Sequence, residues 1–247
     1  MTSPYPHSLS PTPQDLEKKG RRSRRRWDLF VLITLLFFTL ALFLPFLVVR
    51  RPIPWRPPDR HSFTRSLQAA FAPQNHKMWT PTPTVSLVLD YFTFGEDYLV
   101  FYRFHSLMGH LVKTALLWLL LRRLGVASHY AMGFAFLVTI WPSRIEGVMT
   151  PHMRGVIALT LFCYLAMYCA TFADSPHWGW WIAGCTLSCI VAAGASLWAG
   201  LLFTAMPSVA WWCKRRDARF PWERLILPEI ALIGSLLLSL HMSGYLG

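Results

Sequence analysis

One run of the chain, Tyr98–Leu121, is apolar enough to cross a bilayer and yet carries Arg103, His105, His110 and Lys113. Hydrocarbon admits only helices or closed barrels, because every backbone polar group must be satisfied within the protein. It also penalises ionisable side chains unless they face a bundle interior, a partner or a water-filled cavity. Four such groups on one segment therefore predict a helix packed against others around a polar interior. A substrate site should lie beside that helix.

The remainder of the sequence belongs to the same class. Of 247 residues, 54% are hydrophobic and only 15% are charged, against about 25% charged in soluble domains. The charges collect between apolar runs, and the alternating ten-residue pattern of a barrel strand is missing from the sequence. The expected fold is all-α, a polytopic membrane helix bundle. Candidate spans are Leu29–Val49, Tyr98–Leu121, Val126–Trp141, Gly155–Phe172, Trp178–Gly194, Leu197–Cys213 and Leu225–Leu240, which makes about seven by length and composition.

The formal net charge is +12. Its basic residues hug the ends of apolar runs, where membrane anchoring and orientation account for them, so membrane lipids are expected partners and nucleic acid is not. Residues 1–27 are polar, contain Pro and Ser, and end in the basic run Lys18–Arg26. They read as a disordered cytoplasmic tail, followed by a retained signal-anchor whose apolar core is too long for a cleavable signal. Residues 28–247 then form the transmembrane domain, with the N-terminus in the cytoplasm. On this alternation Arg122-Arg123 and Lys214-Arg215-Arg216 share the side of the N-terminal cluster. The long loop over 50–84 faces outward, in spite of Arg50, Arg51, Arg56, Arg60, Arg65 and Lys77, because the first span usually dominates orientation. Within it, Phe63, Leu67, Ala70 and Phe71 have helical spacing, which predicts a short interfacial helix over Ser62–Phe71 ended by Pro73. Leu87, Val88, Tyr91 and Phe92 give Ser86–Phe94 a similar apolar face.

Three segments carry a family resemblance. The first runs from Asn75-His76-Lys77-Met78-Trp79-Thr80-Pro81 through Leu89-Asp90-Tyr91 and Gly95 to His105 and His110. The second is Trp141-Pro142-Ser143-Arg144-Ile145-Glu146-Gly147-Val148, continuing to Arg154; the third is the long loop with Asp59 about twenty residues before Trp79. In this order they resemble the N-terminal half of the GT-C membrane glycosyltransferases, in particular the TPR-linked transmembrane O-mannosyltransferases and their bacterial relatives. The resemblance covers roughly residues 59–207. It implies a GT-C-like bundle whose outward loop follows the first span, and transfer of a sugar from a polyprenyl-phosphate donor on the non-cytoplasmic face. The sequence also departs from that pattern: the acidic pair is reduced to Asp59-Arg60, Thr80 replaces an arginine and Trp141 a histidine. Those losses imply the alternative of a shortened, non-catalytic relative acting as a subunit or scaffold of a membrane protein complex.

Glycosyl transfer needs a carboxylate for the acceptor's proton and cations for the departing phosphate. Asp59 is the acid of the outward loop and takes the role of base by position, its structural alternative being a partner for Arg56 or Arg60. Glu146 is the second catalytic candidate, or else the ion-pair partner of Arg154. Lys77, Trp79, His105, His110 and Arg154 are the candidate substrate-binding residues, with Lys77 and Arg154 toward phosphate. His105 and His110 diverge by about 140° around a helix, and Cys185 and Cys189 lack a second ligand pair, so neither cofactor nor metal is expected. The five cysteines read as buried free thiols, and Arg103 and Lys113 as side chains able to snorkel toward opposite headgroups.

Overall fold

The computed structural model describes residues 13–47, 57, 59–72, 80–95, 99–140, 154–216 and 220–244. Among these every regular element is a helix. Helix α1 spans Pro13–Phe43 and tightens into a 3₁₀ turn at Leu44–Leu47. Two peripheral helices follow, α2 (Phe63–Phe71) and α3 (Pro81–Phe94). The bundle continues with α4 (Leu99–Arg123), α5 (Ser128–Ile140), α6 (Arg154–Ala170) and α7 (Trp178–Ala195). It ends with α8 (Leu202–Arg216) and α9 (Ile226–Met242), each entered through a 3₁₀ turn.

Among the described residues, four stretches are long and apolar enough to cross a membrane: Arg26–Phe43, Val100–Arg123, Trp178–Ala195 and Trp222–Met242. Helices α5 and α6 are shorter apolar segments. The expected span Leu197–Cys213 is interrupted, since its first turn is 3₁₀ and Pro207 lies inside the following helix. Proline there removes an intrahelical hydrogen bond and crowds the preceding turn. Helix α1 starts at Pro13, so residues 13–27, expected from the sequence as a tail, lie on the helix that leads into the apolar stretch Arg26–Phe43. Residues 1–12 lie outside the described residues.

Packing divides the bundle into two sets. Val31 and Leu35 of α1, Leu117 and Trp118 of α4, and Ala131 and Ala135 of α5 form one core. Helices α6–α9 form the other, rich in small residues such as Ala166, Ala170, Cys185, Cys189, Ala192 and Ala193. Small side chains let helix backbones approach closely where no aqueous driving force pulls them together. The free thiols belong to this second core: Cys185 Sγ donates to the Ala166 carbonyl at 3.4 Å, and Cys189 Sγ lies 3.6 Å from Met206 Sδ. Helices α4 and α6 join the two sets through Leu107 and Ile157, together with Phe43 and Leu47 of the first span.

The two ends differ in chemistry. At one, Arg122 pairs with Asp28 at 2.8 Å, Arg123 lies over Phe172 and reaches the Thr171 carbonyl, and Arg224 lies over Trp178. Trp212 Nε1 donates to the Leu124 carbonyl at 3.1 Å. Arg122, Arg123 and the basic end of α8 therefore do share the end to which α1 brings its N-terminal part, ringed by Trp178, Trp180, Trp211 and Trp222. Such an aromatic and basic girdle is the usual composition of a membrane–water boundary. The opposite end holds α2, α3, the first turns of α4 and α6, and the last turns of α7 and α9.

Candidate functional site

Helix α3 positions the first group. It opens with Pro81, whose missing N–H costs nothing at a helix start, and closes at Gly95, where φ is +78°. That left-handed conformation favours glycine, and it turns the chain into α4. The corner is tied twice, by Tyr102 donating to the Gly95 carbonyl at 3.2 Å and by Phe94 stacked on Phe101. Residues four apart share a helix face, so Ser86 and Asp90 of α3 face the bundle together, opposite Tyr102 and Ser106 of α4.

Arg154, the first residue of α6, enters between them. Its Nη2 pairs with Asp90 at 2.5 Å and also donates to the Tyr102 carbonyl. Nε donates to Ser106 Oγ at 2.9 Å, Nη1 donates to Ser86 Oγ at 3.1 Å, and the guanidinium lies 5.7 Å from the Tyr102 ring centre. Asp90 and Arg154 are only 3% and 4% exposed. Such a pair withstands burial only when further hydrogen bonds satisfy the remaining donors and lone pairs, which the two serines and the Tyr102 carbonyl supply.

The second Asp90 oxygen is 2.7 Å from His105 Nδ1. The tautomer with the proton on Nδ1 donates it to the carboxylate that Arg154 also holds, and in that tautomer the Nε2 lone pair lies on the side of the ring away from Asp90. The His105 side chain is half exposed (51%). It borders a cavity of about 350 Å³ together with Ser86, Ser106 and Arg154, the other walls being largely apolar: Val85, Leu89, Ile157, Ala158, Leu161, Phe162 and Val191. A second cavity of about 340 Å³ shares Thr82, Val85 and Val191 with the first and extends toward Ser235 and Leu238 of α9.

The structure thus unites Arg154 and His105 of the sequence candidates and adds Asp90. The sequence signal for Asp90 was its place in the Leu89-Asp90-Tyr91 segment of the family resemblance, which gave it no role at the site. His110, placed with His105 among the substrate-binding residues, is completely buried one and a half turns deeper, 4.7 Å from the Phe43 ring, and does not line the cavity. Arg103 and Lys113 are buried too, at 3% and 2% exposure. The expectation that they snorkel is corrected: both point into the bundle, where Arg103 Nη1 donates to the Leu47 carbonyl at 3.4 Å.

Asp59 does a local job. Its Oδ1 accepts from the His61 and Ser62 backbone N–H groups at 2.9 and 3.2 Å, and its Oδ2 is 3.6 Å from Arg65. The Ser66 hydroxyl donates to the Asp59 carbonyl, and Ser62 caps α2 through the Arg65 N–H. The His61 N–H does most to hold the Asp59 carboxyl below its ordinary range; desolvation, the next largest effect, opposes it, and the Ser62 N–H and the Arg65 charge add to the lowering. Its ion partner is Arg65, and Asp59 does not line the cavity. Lys77, Trp79 and Glu146 lie outside the described residues, as does the segment that carries the second part of the family resemblance. Among the described residues no group of three or more His, Cys, Asp or Glu is arranged to hold a metal ion. No protein-family model, no curated protein and no solved structure matches this chain.

Proposed function

We propose that this protein is a GT-C-like membrane protein of about seven spans, N-terminus in the cytoplasm, that takes a polyprenyl-phosphate-linked sugar at its non-cytoplasmic end and transfers the sugar. One observation carries the reading: three helices bring His105 and Arg154, bridged behind the wall by Asp90, to an apolar cavity at the end away from the arginine girdle. A lipid-linked substrate needs this combination of an apolar channel for its chain and a few fixed polar groups at the reacting headgroup. The arginine girdle supports assigning its own end to the cytoplasm. The donor class itself comes from the family resemblance. The two adjoining cavities give a prenyl chain room between α3, α7 and α9.

The test is saturable binding of undecaprenyl phosphate to the purified chain, set against Ala158→Phe, which fills the cavity from its α6 wall. Binding that the wild type shows and Ala158→Phe loses by tenfold or more supports the reading; equal binding by both, or none by either, sinks it.

A second reading, a non-catalytic relative serving as a subunit of a membrane complex, is favoured by a different observation. The Arg154 donors are all engaged within the protein, as a structural ion pair requires. On that reading undecaprenyl phosphate does not bind, and the chain migrates with a partner membrane protein when solubilised gently.

A further inference from the structure

We propose that His105 is the general base that receives the acceptor's proton in this cavity, with Asp90 positioning its ring and Arg154 positioning Asp90; the inference rests on the sugar-transfer reading above. The outward-loop acid that the sequence suggested is already committed. Both Asp59 oxygens are engaged, and its carboxyl is held in its weakly basic form. Of the described residues that line the cavity, only His105 and Arg154 are ionisable. A guanidinium has no lone pair to accept a proton at ordinary pH, which leaves His105.

Its geometry suits the task. Donation from Nδ1 to Asp90 at 2.7 Å fixes the tautomer and the ring plane, and leaves the Nε2 lone pair uncommitted on a half-exposed ring that borders the cavity. When Nε2 takes a proton, the new imidazolium sits against a carboxylate already in place. Arg154, held by Ser106, Ser86 and the Tyr102 carbonyl, holds the Asp90 carboxyl group stationary. Among the described residues, Asp90 on α3 and Arg154 on α6 are the charged groups that face the ring from the helices packed around it.

The step balances without another reactant. The acceptor hydroxyl gives its proton to His105 Nε2, and its oxygen forms a bond to the anomeric carbon. The bond from that carbon to the phosphate oxygen breaks, and its electron pair leaves on the polyprenyl phosphate. Water can stand in for the acceptor, giving free sugar.

The experiment uses the full chain in liposomes with radiolabelled polyprenyl-phosphate mannose, glucose, galactose and N-acetylglucosamine, and measures release of sugar to water or to a serine-rich peptide. Undecaprenyl phosphate binding is measured alongside. General-base removal typically costs 10² to 10⁴ in rate. We expect His105→Gln to bind undecaprenyl phosphate within about twofold of wild type while its turnover falls at least about 100-fold. The acidic limb of the rate–pH profile, one proton in slope, should vanish with it. Asp90→Asn should displace that limb and Asp90→Glu restore part of the rate, whereas a merely structural role for Asp90 would scale the rate equally at every pH. Diethyl pyrocarbonate should modify His105, and undecaprenyl phosphate should protect it. If wild type binds the lipid and releases sugar but His105→Gln turns over equally fast, or His105 is not protected, the base is elsewhere and the transfer reading survives. If wild type neither binds the lipid nor releases sugar from any donor, the transfer reading falls and this assignment with it.

Discussion

At the residue scale the protein rests on one buried guanidinium. Arg154 meets a carboxylate, two serine hydroxyls and a backbone carbonyl, so it joins α3, α4 and α6 at a single point. Removing one partner of such a pair strands the other in low dielectric, at a cost of about 3–5 kcal/mol, whereas replacing both costs far less. Arg154→Ala should therefore destabilise the bundle by that amount in denaturant titration in micelles, and Asp90→Asn with Arg154→Met should recover more than half of it. Asp59 gives the opposite case, an acid prominent in the sequence that serves a local turn. Asn can still accept from the His61 and Ser62 N–H groups, but Ala cannot. Asp59→Ala should accelerate amide exchange over α2 while Asp59→Asn leaves it nearly unchanged, and neither should alter undecaprenyl phosphate binding more than twofold. The sign of the pH effect follows from the lowered carboxyl. Its contribution is complete above the ordinary carboxylate range and is lost only as pH falls through the lower value of the folded protein, so α2 should stay protected at pH 5 and loosen in stronger acid.

At the element scale, close approach of backbones decides the architecture. A Cβ on Gly194 of α7 would fall 2.9 Å from Thr82 Oγ1 and 3.3 Å from Pro81 Cγ, where Thr82 donates to the Val191 carbonyl at 3.0 Å. Gly194→Val should push α3 off α7, cost about 1–3 kcal/mol as overpacking does, and loosen both cavities. Gly234 of α9 has open space around its Cα, so Gly234→Ala should leave stability unchanged or raise it by up to about 1 kcal/mol, the helix-propensity difference. Much of this level was legible beforehand. The spacing of Phe63, Leu67 and Ala70 predicted α2 to within a residue of Phe63–Phe71, because a short helix with one apolar face shows its period locally. The ionisable residues of α4 announced an interior, and three of the four are buried there. The role of Asp90 was not legible. Its residue type is visible in the chain, but pairing with Arg154 and His105 depends on how α3 leans on α4 and α6, and no local period encodes that. The break at Leu197–Leu201 escaped for a related reason: composition there stays apolar while the backbone changes its turn.

Across the whole molecule, polarity runs from an arginine and tryptophan girdle to a nearly neutral cluster at the mouth of an apolar cavity. If that gradient reflects orientation, an N-terminal epitope tag should be cut by protease only in inside-out vesicles, and a tag inserted at Arg60-His61 only in right-side-out ones; the reverse pattern would invert the assignment of the ends. The girdle end has its own cavity of about 280 Å³, lined by Trp211, Lys214, Trp222 and Glu229, and it offers the natural competitor for any lipid. The most direct test of the account is therefore to photo-crosslink a diazirine-bearing polyprenyl phosphate to the full chain and map the labelled peptides. The account predicts label concentrated at the α3, α6 and α7 walls around Val85, Ala158 and Val191, competed by unlabelled undecaprenyl phosphate and lost in Ala158→Phe. Label gathered at Lys214 and Trp222, or spread evenly over the outer faces of the helices, would contradict it.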